Sequence, residues 1–142
     1  MTEFKGMLEN LRDRWGVVHD SGELPAQVLA YLGDAVYEMY VRLRLVEEGP
    51  SRVDYIHKRA VCQVRAESQA SVLEKLLPML NPDEALVARR GRNMHTQSRR
   101  RANGAAHSRS SAFEALLGYL FLEAKYDRLQ MVLDFAYGQV CI

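Results

Sequence analysis

Apolar residues recur along this chain at the three- and four-residue spacing of amphipathic helices. One such pattern covers residues 3 to 15, and Gly16 is suited to end that helix. A second pattern runs from Leu24 to about Val46, is apolar on nearly every face, and stops before Gly49 and Pro50. The first third of the chain is therefore predicted to be helical.

Capping signals place the helices that follow. Ser51 and Asp54 have the spacing of a capping box, which opens a helical stretch to about Leu77 with room for one break. The sequence Asn-Pro-Asp-Glu at 81–84 starts another helix by the same logic. The middle of the chain is therefore also predicted to be helical.

The last third carries two more apolar patterns. Ser110 or Ser111 is predicted to cap a helix over residues 112 to 124, and an amphipathic segment covers residues 129 to 136. No segment shows a convincing strand alternation. Six or so helices predict an all-α bundle, and 142 residues suit one domain spanning 1–142.

Composition indicates an ordinary globular protein, with 48% hydrophobic and 26% charged residues. No apolar run approaches the roughly 18 residues that span a bilayer, and the N-terminus lacks a signal-peptide pattern, so we expect a soluble cytoplasmic chain with no membrane partner. Cys62 and Cys141 lack the CxxC spacing of metal or redox sites. Both are expected to be reduced thiols.

The net charge of +1 conceals a strong asymmetry. Residues 85 to 113 contain seven arginines and no acid, so the rest of the chain carries −6. Because like charges repel and glycine, asparagine and serine are frequent here, we predict a basic loop over about residues 88–109. Such a loop either binds the phosphates of a polyanion or is simply solvated, and charge pattern alone leaves both interpretations open.

Two acids stand alone in apolar helices. Asp34 is the only charged residue between Leu24 and Tyr37, and Glu114 is the only one between Ser110 and Leu122. Burying an unpaired carboxylate costs several kcal/mol, so each acid needs a partner. One shared Mg²⁺ ion would satisfy both, since this ion prefers oxygen ligands and is often held by one or two carboxylates.

Two glycines favour that arrangement. Gly33 adjoins Asp34, and Gly118 lies one turn after Glu114 on the same face, which predicts a close backbone approach of the two helices. The alternative is structural: Asp34 would pair with a buried arginine, and Glu114 would favour the positive end of its helix. Spacing alone does not decide between them.

Two segments resemble known motifs. Residues 29–38, LAYLGDAVYE, resemble the signature helix of ribonuclease III catalytic domains, and residues 111–118, SAFEALLG, resemble their second acidic motif. Residues 40–42, the 56–70 helix and the Arg-Gly-Arg-Asn sequence at 90–93 are similar to the branch that lacks a double-stranded-RNA-binding domain, Mini-ribonuclease III. Together the matches cover roughly residues 24–125.

The resemblance implies an all-α homodimeric endoribonuclease. Such an enzyme uses Mg²⁺ to hydrolyse double-stranded RNA, leaves 5′-phosphate and 3′-hydroxyl ends, and matures the 23S (large-subunit) ribosomal RNA precursor, with a ribosomal protein as a candidate helper. Asp34 and Glu114 match the metal-binding carboxylates of the family, which are catalytic. Gln27, Ala30 and Ser111 stand where full-length members carry acids.

Recognition of duplex RNA by shape needs cations that follow the phosphates. The candidates form two groups, one on the middle helix and one on the basic loop: His57, Lys58, Arg59, Arg65 and Gln69, then Arg89, Arg92, Asn93, Arg99, Arg100 and Arg101. The missing acids motivate a rival interpretation, in which the chain is a non-catalytic RNA-binding protein associated with the ribosome. A nucleotide pyrophosphohydrolase is disfavoured because no Glu-x-x-Glu cluster is present.

Overall fold

The computed structural model describes residues 2–15, 24–49, 52–94 and 104–139. These ranges hold helices and no strand, which confirms the all-α prediction. The helices are α1 (Thr2–Trp15), α2 (Ala26–Glu48), α3 (Val53–Val64), α4 (Ala66–Leu76), a 3₁₀ turn (Leu77–Met79), α5 (Pro82–Asn93), α6 (Gly104–Leu122) and α7 (Tyr126–Tyr137). None of the helices within the described ranges combines the length and apolar character needed to cross a membrane.

Helix α6 is the centre of the bundle. It packs against α2 on one side and against α4 and α5 on the other, and nearly every residue from Ser110 to Leu122 is buried. Helices α1 and α7 complete the core. Aromatic side chains meet edge to face across it, with ring centroids 5.1 Å apart for Tyr37 and Phe113 and 5.3 Å apart for Phe4 and Tyr40.

Most predicted helix boundaries hold. The stretch after residue 51 breaks once, at Arg65, whose ψ of 155° is extended and separates α3 from α4. The predicted cap of α5 is a complete capping box, because the Asn81 side chain accepts from the Glu84 backbone and the Glu84 side chain accepts from the Asn81 backbone. Ser51, the predicted cap of α3, lies outside the described residues.

The prediction of a loop over 88–109 is wrong at both ends. Helix α5 continues to Asn93, and α6 already begins at Gly104, so neither Ser110 nor Ser111 caps it. At the first end, Gly91 lets α5 approach α6, since a Cβ atom there would lie 2.9 Å from the Ala112 Cα atom. Arginine is also a good helix former when its charge is exposed. Arg99, Arg100 and Arg101 lie outside the described residues.

The prediction of reduced thiols is wrong for Cys62, which is disulfide-bonded. The only other cysteine in the sequence, Cys141, lies outside the described residues. Spacing rules test only for cysteines that are neighbours in sequence, whereas a disulfide depends on where the fold places two cysteines.

Candidate active site

Helices α2 and α6 touch backbone to backbone where each carries a glycine. A Cβ atom on Gly33 would lie 1.7 Å from the Glu114 carbonyl oxygen, and one on Gly118 would lie 2.0 Å from the Leu29 carbonyl oxygen. Real Cβ atoms do not make such contacts, so only glycine fits at either position. The predicted close approach of the two helices is confirmed.

This crossing brings Asp34 and Glu114 together. Glu114 is partly buried on α6, and the Asp34 carboxyl on α2 lies within hydrogen-bonding reach of it, on the solvent side. Burial, followed by the hydrogen bond and the charge of Asp34, raises the pKa of Glu114 well above its ordinary value. Without a cation, burial beside Asp34 therefore favours the protonated form of the Glu114 carboxyl group.

Neither structural alternative for these acids matches the geometry. Glu114 lies nearly three turns inside α6, roughly 3.6 residues to the turn, and so is not at the positive end of the helix. In the part of the chain that the structure describes, no lysine or arginine forms an ion pair with Asp34 or Glu114. Among the charged groups, Asp34 has the largest effect on Glu114.

The donor set suits a hard divalent cation. Two carboxyl groups held together at the edge of the core would repel when both are ionised, and a cation between them removes that repulsion. Among the described residues, no group of three or more His, Cys, Asp or Glu side chains could hold a metal ion. These two carboxylates would therefore be the protein's share of such a site among the described residues, with waters or substrate as the other ligands.

Gln69 does not lie where the sequence predicts. It is 1% exposed, so its expected place on an RNA-facing surface is wrong. Its amide nitrogen donates to the Val64 carbonyl oxygen at 2.9 Å, and its amide oxygen accepts from the Ser110 hydroxyl at 2.5 Å. Hydrogen bonding from its side chain also lowers the pKa of Glu114, against the larger effects of burial and Asp34. Gln69 therefore belongs to the surroundings of the acid pair.

The other RNA-binding candidates on the middle helix differ in whether an acidic side chain of the protein already pairs with them. His57, Lys58 and Arg65 are exposed and can meet a ligand. Arg59 instead forms an ion pair with Glu48 at 3.1 Å, which fastens α3 to the end of α2. An RNA phosphate would have to compete with Glu48 for Arg59.

The candidates on α5 line part of a cleft. Arg89, Arg92 and Asn93 are exposed, and the two arginines face a cleft of about 210 Å³ between α4, α5 and α6. Arg109 also lines it, although it pairs with Glu74 at 3.1 Å. Arg109 was absent from the predicted RNA-binding set, and its only sequence signal is its place in the arginine-rich segment.

One face of α2 is apolar and uncovered in a single chain. Val28, Tyr31, Ala35 and Met39 are exposed at helical spacing beside Asp34, and Tyr31 is 84% exposed. Large apolar side chains in one stripe are typical of a surface that a partner covers. This stripe borders the acid pair.

The sequence matches the Ribonuclease III domain family over residues 27–125. It is similar to curated proteins named Mini-ribonuclease 3. The one from Symbiobacterium thermophilum is 46% identical over 80% of this chain and 88% of its own length, and the one from Thermoanaerobacter sp. is 36% identical over 91% and 90%.

A crystal structure of a protein from Fusobacterium nucleatum has a similar fold. The TM-score is 0.71 at 22% identity, and the superposition covers 79% of this chain and 90% of that one. At this identity the likeness concerns the fold alone. It agrees with the helical bundle described above.

Proposed function

Because this chain belongs to the ribonuclease III family and is an endoribonuclease, we propose that it hydrolyses double-stranded RNA with Mg²⁺ held by Asp34 and Glu114. The observation that carries the proposal is the pairing of these two carboxyl groups across the glycine contact of α2 and α6. Two acids in a helical bundle have no other evident reason to meet there.

Asp34 and Glu114 would bind the ion and orient it toward the scissile phosphate. When bound there, a Mg²⁺ ion would supply Lewis-acid chemistry at the scissile phosphate. Water adds to phosphorus and the bond to the 3′-oxygen breaks, which leaves a 5′-phosphate and a 3′-hydroxyl. Neither carboxylate is required as a general base, so their role is to bind and position.

Exposed cations would hold the duplex by its phosphates. The proposed contacts among the described residues are exposed: His57 and Lys58 on α3, Arg65 directly after it, and Arg89, Arg92 and Asn93 on α5. Arg99, Arg100 and Arg101, which lie outside the described residues, are proposed contacts from the sequence alone. Because the A-form major groove is too deep for side chains to read, this contact recognises shape rather than sequence. Arg59 would contribute only after leaving Glu48.

A homodimer would supply two sites for the two strands. One acid pair cuts one strand, and a two-fold axis relates two such sites. The apolar stripe on α2 supports this assembly, since its partner-facing residues Val28, Tyr31 and Met39 border Asp34. The proposed partner that packs against this stripe is a second copy of this chain.

Within the cell, the proposed substrate is the 23S ribosomal RNA precursor in the cytoplasm, with a ribosomal protein as helper. This role is what the resemblance of residues 29–38 and 111–118 to the motifs of Mini-ribonuclease III implies. The rival, a non-catalytic RNA-binding protein, rests on Gln27, Ala30 and Ser111 at positions where full-length members carry acids. The retained acid pair favours the enzyme.

The decisive experiment incubates the protein with duplex RNA, single-stranded RNA and nucleoside triphosphates, each with and without Mg²⁺. We expect Mg²⁺-dependent cleavage of the duplex only. Asp34→Asn and Glu114→Gln should each slow cleavage by more than about 100-fold, since even outer-shell changes at metal sites cost 10- to 100-fold. Glu47→Gln, which removes an exposed acid from the same helix as Asp34, is the control and should cleave normally. Wild-type rates in folded Asp34→Asn and Glu114→Gln would overturn the proposal.

A further inference from the structure

Gln69 is a fully buried amide whose hydrogen-bonding groups converge on one place. It lies in the first turns of α4, and its partners come from two other helices. Val64 ends α3, Ser110 lies in the middle of α6, and Glu114 follows one turn later on α6. A buried amide is costly unless its polar atoms are satisfied, and here both the amide nitrogen and the amide oxygen have a partner.

The partners also fix which way the amide points. The Ser110 hydroxyl donates to the Gln69 oxygen at 2.5 Å, and the Gln69 nitrogen donates one hydrogen to the Val64 carbonyl oxygen at 2.9 Å. An amide nitrogen has two hydrogens, which leaves the second for the nearby Glu114 carboxyl group, whose pKa the Gln69 side chain lowers. If the amide were turned over, its oxygen would face a carbonyl oxygen and a carboxylate, and both contacts would be repulsive.

This arrangement places the neutral Gln69 amide, held by Ser110 one turn before Glu114, and the Asp34 carboxyl group near Glu114. A neutral donor can hold a carboxylate without neutralising it, so the charge stays available for a cation. An arginine or lysine in the same place would compete with that cation. The outer hydrogen bonds of a metal-binding side chain commonly fix its orientation in this manner.

We propose that Gln69, clamped by Ser110, is a positioning residue that holds the Glu114 carboxylate in the orientation that binds the divalent cation. The inference rests on the proposed function, because it assigns Gln69 a role toward the metal held by Asp34 and Glu114. Gln69 itself touches neither RNA nor the reacting phosphate. Its effect reaches the reaction only through Glu114.

The test measures Mn²⁺ affinity of the full-length protein without RNA, by electron paramagnetic resonance or calorimetry. Gln69→Met keeps the length of the side chain and removes its hydrogen bonds. We expect Mn²⁺ affinity to fall by about 10- to 100-fold, as for other outer-shell changes. The Mg²⁺ concentration for half-maximal cleavage should rise by the same factor, and KM for duplex RNA at saturating Mg²⁺ should not change.

Two further variants distinguish a role of Gln69 in positioning Glu114 from a role in folding alone. Ser110→Ala leaves the glutamine in place and removes only the clamp, so a smaller loss of Mn²⁺ affinity is expected in a protein that folds readily. Gln63→Met alters another buried glutamine, which is not among the groups that interact with Glu114, and should leave Mn²⁺ affinity unchanged. Unchanged affinity in both Gln69→Met and Ser110→Ala would overturn the inference.

A failure of this inference is distinguishable from a failure of the proposed function. If Glu114→Gln binds Mn²⁺ as tightly as the wild type, the metal site itself is wrong. If Glu114→Gln loses Mn²⁺ binding while Gln69→Met keeps it, only the role of Gln69 is wrong. Lower stability of Gln69→Met with normal Mn²⁺ affinity would show that Gln69 is merely structural.

Discussion

The Gly33 Cα hydrogens face the Glu114 main chain so closely that a methyl group in their place would sit 1.7 Å from the Glu114 carbonyl oxygen. Asp34 follows Gly33 directly, so the same contact that joins α2 to α6 sets the separation of the two acids. The packing of the bundle and the geometry of the candidate site therefore both depend on the absence of a side chain at Gly33.

Replacing Gly33 by alanine should weaken both the packing of the bundle and the binding of a metal ion at the candidate site. The clash is with backbone, which cannot rotate away, so we expect a loss of at least about 3 kcal/mol in the free energy of unfolding, at the upper end of overpacking effects. Urea unfolding measures this loss, and Mn²⁺ titration of the remaining folded protein should show weakened binding. Gly6→Ala is the control, because a methyl group added at Gly6 would meet nothing within 4 Å and alanine favours helix by about 0.5–1 kcal/mol. Equal stability of the two variants would contradict this interpretation of the contact.

A second prediction concerns acid sensitivity. Glu84 is 0% exposed and receives hydrogen bonds from Arg128 at 2.8 Å. Burial by itself would raise the pKa of Glu84, but the hydrogen bonds from Arg128 and the Asn81 backbone outweigh it and lower the pKa below its ordinary value. The stability that this pair contributes is therefore present above about pH 4.5 and is lost as the pH falls through the folded-state pKa.

Arg128→Met should accordingly destabilise the protein by about 2 to 4 kcal/mol at pH 7, less than for a fully buried partner because Arg128 is 29% exposed. The difference from wild type should shrink as the pH falls below about 4.5 and through the lowered pKa of Glu84, where Glu84 becomes protonated in the folded wild type as well. Urea midpoints between about pH 3 and 7, spaced by about half a unit, measure this convergence. Arg52→Met, which breaks an exposed pair with Asp54, should change little at any pH.

Periodicity and capping signals were enough to predict most of this fold. The position of the break at Arg65 is not predicted, whereas the capping box at Asn81 and the glycine contact of Gly33 with α6 depend on residues close in sequence or on the strict geometry of glycine. Such signals act over a single turn, so a sequence displays them fully. Taken together, these signals predict the all-α class.

What escaped prediction depends on distant contacts. The first turns of α6 are rich in serine and glycine, which are weak helix formers, yet Gly104 and Ser108 are buried there and the Ser108 hydroxyl donates to the Gly104 carbonyl oxygen at 2.8 Å. Gln69 is a polar residue on the predicted middle helix, and nothing in its local sequence indicates that it is buried. Its true partners on α6, Ser110 and Glu114, lie more than forty residues away in the chain.

A third prediction tests the apolar stripe on α2. Tyr31→Glu places a charge in the centre of the proposed dimer interface, where burial without a partner costs several kcal/mol. Sedimentation equilibrium should show a folded monomer at concentrations where the wild type is a dimer. Val53→Glu is the matched control, because Val53 is also highly exposed, at 82%, but lies on α3. A wild-type protein that is monomeric at micromolar concentration would contradict the prediction.

The last prediction concerns how the protein holds duplex RNA. If exposed cations bind phosphates, they displace counterions, and the logarithm of affinity falls linearly with the logarithm of salt concentration. Lys58→Ala and Arg92→Ala should each weaken binding and reduce the slope of that plot by about one, for any duplex sequence. Fluorescence anisotropy without divalent ions measures binding while preventing cleavage. Lys5→Ala, whose ammonium group is hydrogen-bonded to Asp127 between α1 and α7, should leave the slope unchanged. A wild-type plot without slope would mean that phosphates are not the contact, and an equal loss in Lys5→Ala would mean that net charge, rather than these two side chains, governs binding.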